Sequence, residues 1–188
     1  MSECAFLHEL RASLVNSGWF VVRIPDDAKN QADYDDLKLR AKKKGFDTFA
    51  GKAGRPTLCI EAKQVRRGMN FPLSNIKDHQ WTGLELAEGC GWDAGVAVNF
   101  RVRITLAQRN KFGLEDFVVN RSFYFPHWWL KWAKDKRAIT SLNLEQHYFK
   151  NQILQKFEIP SDGDLWDAYW LQRHLNKCVP EKVAKYSI

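Results

Sequence analysis

The residues of this chain best placed to do chemistry lie between positions 47 and 63. Asp47 is followed fourteen residues on by Glu61-Ala62-Lys63, and the segment between holds the turn Ala50-Gly51-Lys52-Ala53-Gly54-Arg55-Pro56. In a strand, residues i and i+2 project from the same face, so Glu61 and Lys63 would stand side by side on a strand beginning at Leu58. An antiparallel hairpin about Gly54 brings Asp47 opposite Glu61. Two carboxylates and an ammonium held that close can bind a hard divalent cation and present the lysine to an anionic substrate. A glutamate and lysine two apart also occur as a plain surface ion pair, so the neighbourhood has to decide.

That neighbourhood is basic. Between Lys38 and Arg67 lie ten lysines or arginines and only two acids, Asp47 and Glu61. The formal net charge of the 188-residue chain is +7. A concentrated basic field favours a polyanionic partner, and nucleic acid fits better than a merely solvated face. Lys42, Lys43, Lys44, Lys52, Arg55, Arg66 and Arg67 are the candidates for phosphate contacts.

Composition narrows the class. With 45% hydrophobic and 13% aromatic residues, the chain can bury a core as one domain, 1–188. No eighteen-residue apolar run and no secretory pattern is visible, so a cytoplasmic protein without membrane association is expected. Cys4, Cys59, Cys90 and Cys178 form no metal-binding spacing and are read as reduced, mostly buried thiols. Glycine-rich nucleotide-binding motifs are missing, which argues against a nucleotide cofactor.

The elements that must position the acids follow from periodicity. Ala5 to Asn16 reads as a helix, and Trp19 to Ile24 as a strand. Residues 26–45 lack an apolar stripe and form a charged arm. After the hairpin of 46–65, Phe71-Pro72-Leu73 leads into a helix capped by Asn75 and Asp78 and stopped by Gly89. Ile76, Gln80, Leu84 and Ala87 share one face of it, which puts the Gln80 amide on a buried stripe that demands a partner. Val96 to Ile104 is a long strand, with Asn99, Arg101 and Arg103 on its other face. Phe117–Val119 and Phe123–Phe125 read as two further strands. Trp128, Trp129 and Trp132 mark a helix, and a last helix runs from Asp164 to Lys177, capped by Ser161. The result is an α/β fold with a mixed central sheet flanked by helices, residues 126–188 being its helical C-terminal part.

The string Glu61-Ala62-Lys63-Gln64, then Phe71-Pro72-Leu73-x-Asn75, then His79-Gln80 resembles the RecU-like Holliday junction resolvases of the PD-(D/E)xK nuclease superfamily. The resemblance covers about residues 46 to 100. It implies a restriction-endonuclease-like core whose charged arm is a protruding stalk. Asp47, Glu61 and Gln80 would be ligands of Mg2+, which Mn2+ would replace. Lys63 would stabilise the transition state or position the attacking water, and Glu9 on the first helix would be a further catalytic acid. The implied activity is cleavage of four-way DNA junctions by a homodimer, in recombination and repair. This chain departs from the pattern at Phe46, which replaces the proline. It departs again at Gly45, where the family often has a threonine ligand, and at Gln64-Val65, which replace an acid and a hydroxyl. Two other readings stay open: a duplex-cutting restriction or repair endonuclease, and a DNA-binding protein without catalysis.

Overall fold

In the computed structural model, residues 3–24, 45–137, 139–162 and 165–166 are described. The chain runs α1 (Glu3–Asn16), β1 (Phe20–Arg23), β2 (Thr48–Gly51), β3 (Leu58–Val65), β4 (Asn70–Pro72), α2 (Asp78–Gly89), β5 (Asp93–Arg103) and α3 (Leu106–Phe112). It continues through β6 (Val118–Pro126), α4 (His127–Arg137), β7 (Ser141–Asn143), a π-helical stretch Leu144–Lys150, β8 (Glu158–Ile159), β9 (Ser161–Asp162) and β10 (Leu165–Trp166).

Six strands form one mixed sheet in the order β1-β2-β3-β5-β6-β8. Among the described strands only the β3–β5 pair is parallel, and the segment between them crosses over through α2. The expected α/β architecture is therefore present. Alternation along the central strands sends side chains to two separate cores. Phe6, Leu10 and Leu14 of α1 pack on Ile60, Ala62, Ala97 and Tyr124 on one face. On the other face, Leu84 and Ala87 of α2 and Trp129 and Leu130 of α4 pack on Val96, Val98, Phe100, Phe123 and Phe125. Strands covered on both faces read as nearly unbroken apolar runs. Glu61 and Lys63 stand out in β3 for that reason.

Several boundaries differ from the sequence reading. Val118–Val119 of the first expected strand and Phe123–Phe125 of the second belong to a single strand, β6, with Phe117 just before it, because Asn120, Arg121 and Ser122 keep pairing with β5 through Arg101, Phe100 and Asn99. Asn75 does not cap α2. It ends a 3₁₀ turn, Leu73–Asn75, and Lys77 takes the cap position. Gly89 is the last residue of α2, and the left-handed position that turns the chain is Gly91, with φ of 78°. The expected helix from Asp164 does not begin there, since β9 and β10 pair as a short hairpin through Leu165↔Asp162 and Trp166↔Ser161. Its remainder, residues 26–44 of the arm 26–45, and Cys178 lie outside the described residues. Cys90 is exposed, whereas Cys59 is buried and its thiol is pushed up to about 12 by burial, with the nearby Cys90 adding to the shift. No described helix is long and apolar enough to cross a membrane.

Aromatic packing holds the α4 side together. The Phe125 ring stacks on Trp129 at 5.6 Å, lies 5.9 Å from Phe123, and tilts against Phe157 at 5.4 Å. Phe125→Ala should cost about 3–5 kcal/mol through lost contacts and a cavity, read as a lowered urea midpoint with an unchanged slope.

Candidate functional site

The hairpin register Thr48↔Ile60, Phe49↔Cys59, Ala50↔Leu58 puts Asp47 opposite Glu61 when continued by one pair. At Asp47 the regular ladder stops. Its N–H donates to the Ile60 carbonyl at 2.9 Å, and its own carbonyl accepts the Ile24 N–H at 3.0 Å. Its carboxylate Oδ2 accepts the Ala62 N–H at 3.0 Å. Asp47 thereby bonds to β3 with its side chain where β2 no longer supplies a backbone acceptor, and the carboxylate is fixed beside Glu61.

Glu61 is 1% exposed. A carboxylate so buried is costly unless it is paired and hydrogen-bonded. Its Oε1 receives the Lys63 ammonium at 2.8 Å and the Gln80 amide N–H. Asp47, Glu61 and Lys63 share the sheet face that α2 covers, because Phe49, Cys59 and Val65, at the same strand parity, belong to the α2-side core. Gln80 arrives from α2 on a stripe with the buried Leu84 and Ala87. The structure thus gathers Asp47, Glu61, Lys63 and Gln80.

Gln80 enters this cluster by its nitrogen. Its carbonyl Oε1 accepts the Lys77 N–H at 2.9 Å, which closes the first turn of α2. Its amide group points the other way, to Glu61. One side chain therefore ties the helix start to the buried acid. Among the described residues no group of three or more His, Cys, Asp or Glu side chains converges as a metal site. The hard oxygen donors on hand are the carboxylates of Asp47 and Glu61, a pair that suits a cation keeping several waters.

The approach of α2 depends on two glycines. A Cβ built on Gly45 would lie 2.5 Å from the Gly83 Cα, and one on Gly83 would lie 2.3 Å from the Gly45 Cα. Backbone touches backbone, leaving no room for the threonine that the resembled family carries at position 45. Gly83 went unremarked in the sequence reading, although a glycine inside a helical pattern usually signals close packing.

Glu9 lies elsewhere. It sits on α1, on the opposite face of the sheet, where Arg101 Nη2 donates to both its carboxylate oxygens at 3.1 and 2.8 Å. Arg101 Nε reaches Asn120 Oδ1 at 3.4 Å. Asn99, fully buried, donates to Asn120 Oδ1 at 2.9 Å and Ser122 Oγ at 3.0 Å, and accepts from Gln64 at 3.1 Å. Arg66 closes the chain on Gln64 Oε1 at 3.2 Å. Two more polar contacts lie along and just past α1: Ser13 Oγ accepts the Trp166 N–H at 2.9 Å, and the carbonyl of Ser17, one residue beyond the helix, accepts the Lys52 ammonium at 2.7 Å. Lys52, a phosphate-contact candidate, is thus turned onto the end of α1. Arg66 and Arg67 are exposed, Arg55 is half-buried, and Lys42, Lys43 and Lys44 lie outside the described residues.

No protein-family model matches the chain, and no curated protein sequence matches it. Among solved structures it is similar to Hjc, a Holliday junction resolvase from the archaeal hyperthermophile Archaeoglobus fulgidus, with a TM-score of 0.39 and 18% identity over 66% of this chain and 77% of that one.

Gly83→Ala should force α2 away from residue 45 and cost about 1–3 kcal/mol as overpacking in a close contact. Urea unfolding of Gly83→Ala, Gly45→Ala and the double variant checks this. The two costs should not add, because either methyl opens the same gap.

Proposed function

We propose that this protein is a divalent-metal-dependent endonuclease that cuts four-way DNA junctions by hydrolysing phosphodiesters. The observation that carries the reading is the buried Glu61 flanked by Asp47, just before the neighbouring strand β2, and by Lys63 on its own strand. Three charged groups on one sheet face, beside largely apolar strands, have no role in core packing. The junction as substrate, and a homodimer that would nick two strands symmetrically, rest on the motif string from Glu61 to Gln80.

Asp47 and Glu61 would hold Mg2+, with Mn2+ as a substitute. Such an ion lowers the pKa of a bound water and neutralises phosphate oxygens. Lys63 would release Glu61 Oε1 and place its ammonium where negative charge develops on the phosphate. Gln80 would keep Glu61 aimed by its amide N–H, while its carbonyl stays with Lys77. In the ligand role expected for it, Gln80 would have to give up that helix-capping bond. The reading therefore assigns it the orientation of Glu61 and leaves metal binding to the two acids.

A labelled mobile four-way junction and a linear duplex, each incubated with Mg2+, Mn2+ or EDTA, test the proposal. Cutting of the junction alone, abolished by EDTA, is expected. Equal cutting of both substrates would point to a duplex nuclease, and binding without cutting under every metal would leave a binding protein. Lys63→Ala should slow cutting about 10²–10³-fold, while Asp47→Asn should abolish it and keep junction binding. Unimpaired cutting by either variant would mean that the site is misassigned.

A further inference from the structure

A cleft of about 710 Å³ opens where α2 begins, lined among others by Asn70, Ser74, Lys77, Trp81, Lys134 and Ser141. Its size falls in the range of small-ligand sites, roughly 300–1,000 Å³. One of its lining residues is tied to the acidic site by hydrogen bonds through Gln80. Lys77 donates its N–H to Gln80, and Gln80 donates to Glu61. Trp81 is the next residue of the same helix turn.

The lining has a definite chemistry. Two lysines, two serines, a threonine and an asparagine are among the lining residues, beside the apolar Pro72, Leu73 and Ile76, with Asp78 as the single acid among them. Trp81 is half-buried, with the His127 ring tilted against it at 5.7 Å. The exposed Lys134 places its ammonium 5.1 Å from the Trp81 ring centre, so a cation already covers an aromatic face. Cations beside an aromatic platform are the means by which proteins hold single-stranded nucleic acid without reading its sequence. Duplex backbone would use the lysines but leave Trp81 idle.

We infer that this cleft is a subsite for an unpaired nucleotide of the DNA strand next to the phosphate to be cut. This inference rests on the nuclease reading of the neighbouring carboxylates. The base takes the Trp81 face now covered by Lys134. That lysine moves to a phosphate, Lys77 contacts the adjoining one, and the hydroxyls of Ser74 and Ser141 hydrogen-bond along the strand.

The test is binding of a fluorescein-labelled dodecanucleotide single strand to the full chain in EDTA, measured by anisotropy across a salt series, with junction cutting in Mg2+ run in parallel. Trp81→Ala should weaken binding about tenfold, and Trp81→Phe should keep most of it. Lys77→Ala and Lys134→Ala should each flatten the slope of log affinity against log salt by about 0.7. Urea midpoints establish that each variant is folded, and the surface lysines carry the test if Trp81→Ala is not. Unchanged affinity and slope in both lysine variants and in Trp81→Phe and Trp81→Ala would overturn the subsite, even if the wild type cuts junctions. Loss of binding in these variants, in a wild type that cuts nothing, would keep the subsite and sink the nuclease reading instead.

Discussion

One carboxylate, Glu61, sets the terms for its surroundings. Buried at 1% exposure on a central strand of the sheet, it has to be matched by polar groups from several directions. Lys63 meets it from the same strand and Gln80 from the helix opposite. Gln80 reaches it only because α2 lies against the chain at Gly45, and that approach exists only because Gly83 has no side chain. Asp47 is held beside it because β2 stops pairing there and the aspartate side chain takes over a bond to β3. The pairing of strands, the seating of a helix and the identity of two glycines all follow from one buried charge.

Much of this was legible in the sequence. Period-2 spacing placed Glu61 and Lys63 together, Gly54 placed the turn, and the α2 stripe put Gln80 in the interior. What periodicity could not supply was the direction of an amide. The Gln80 carbonyl was expected to face the acids, but the unpaired N–H at the start of α2 competes for it and holds it. Glu9 shows the same limit. Helical spacing places it on α1 but does not say which sheet face α1 covers, and Arg101, on that face, claims it.

The less legible part of the described chain lies after residue 104. Short strands such as β7, β8 and β9 are two or three residues long and carry no periodic signal. The β9–β10 hairpin formed where a helix was expected because Trp166 packs edge-on against Phe6 of α1, at 6.1 Å, and its N–H meets Ser13. A contact made across nearly the whole chain overrides local propensity there. The tryptophans of α4 behave as the aromatic spacing suggested, with Trp129 in the core.

The polar contacts along α1 have a mechanical consequence. Glu9, Ser13 and Ser17 recur every four residues, and each meets a partner on a different element: Arg101 on β5, Trp166 on β10 and Lys52 just after β2. Apolar packing is non-directional and tolerates sliding. Directional bonds from the helix and from the residue just past its end do not. They act as dowels, so α1 can neither roll about its axis nor slip by a turn without breaking them together. The sheet's far face is thereby locked in place, giving the strand that carries Glu61 and the start of β2 beside Asp47 a rigid backing.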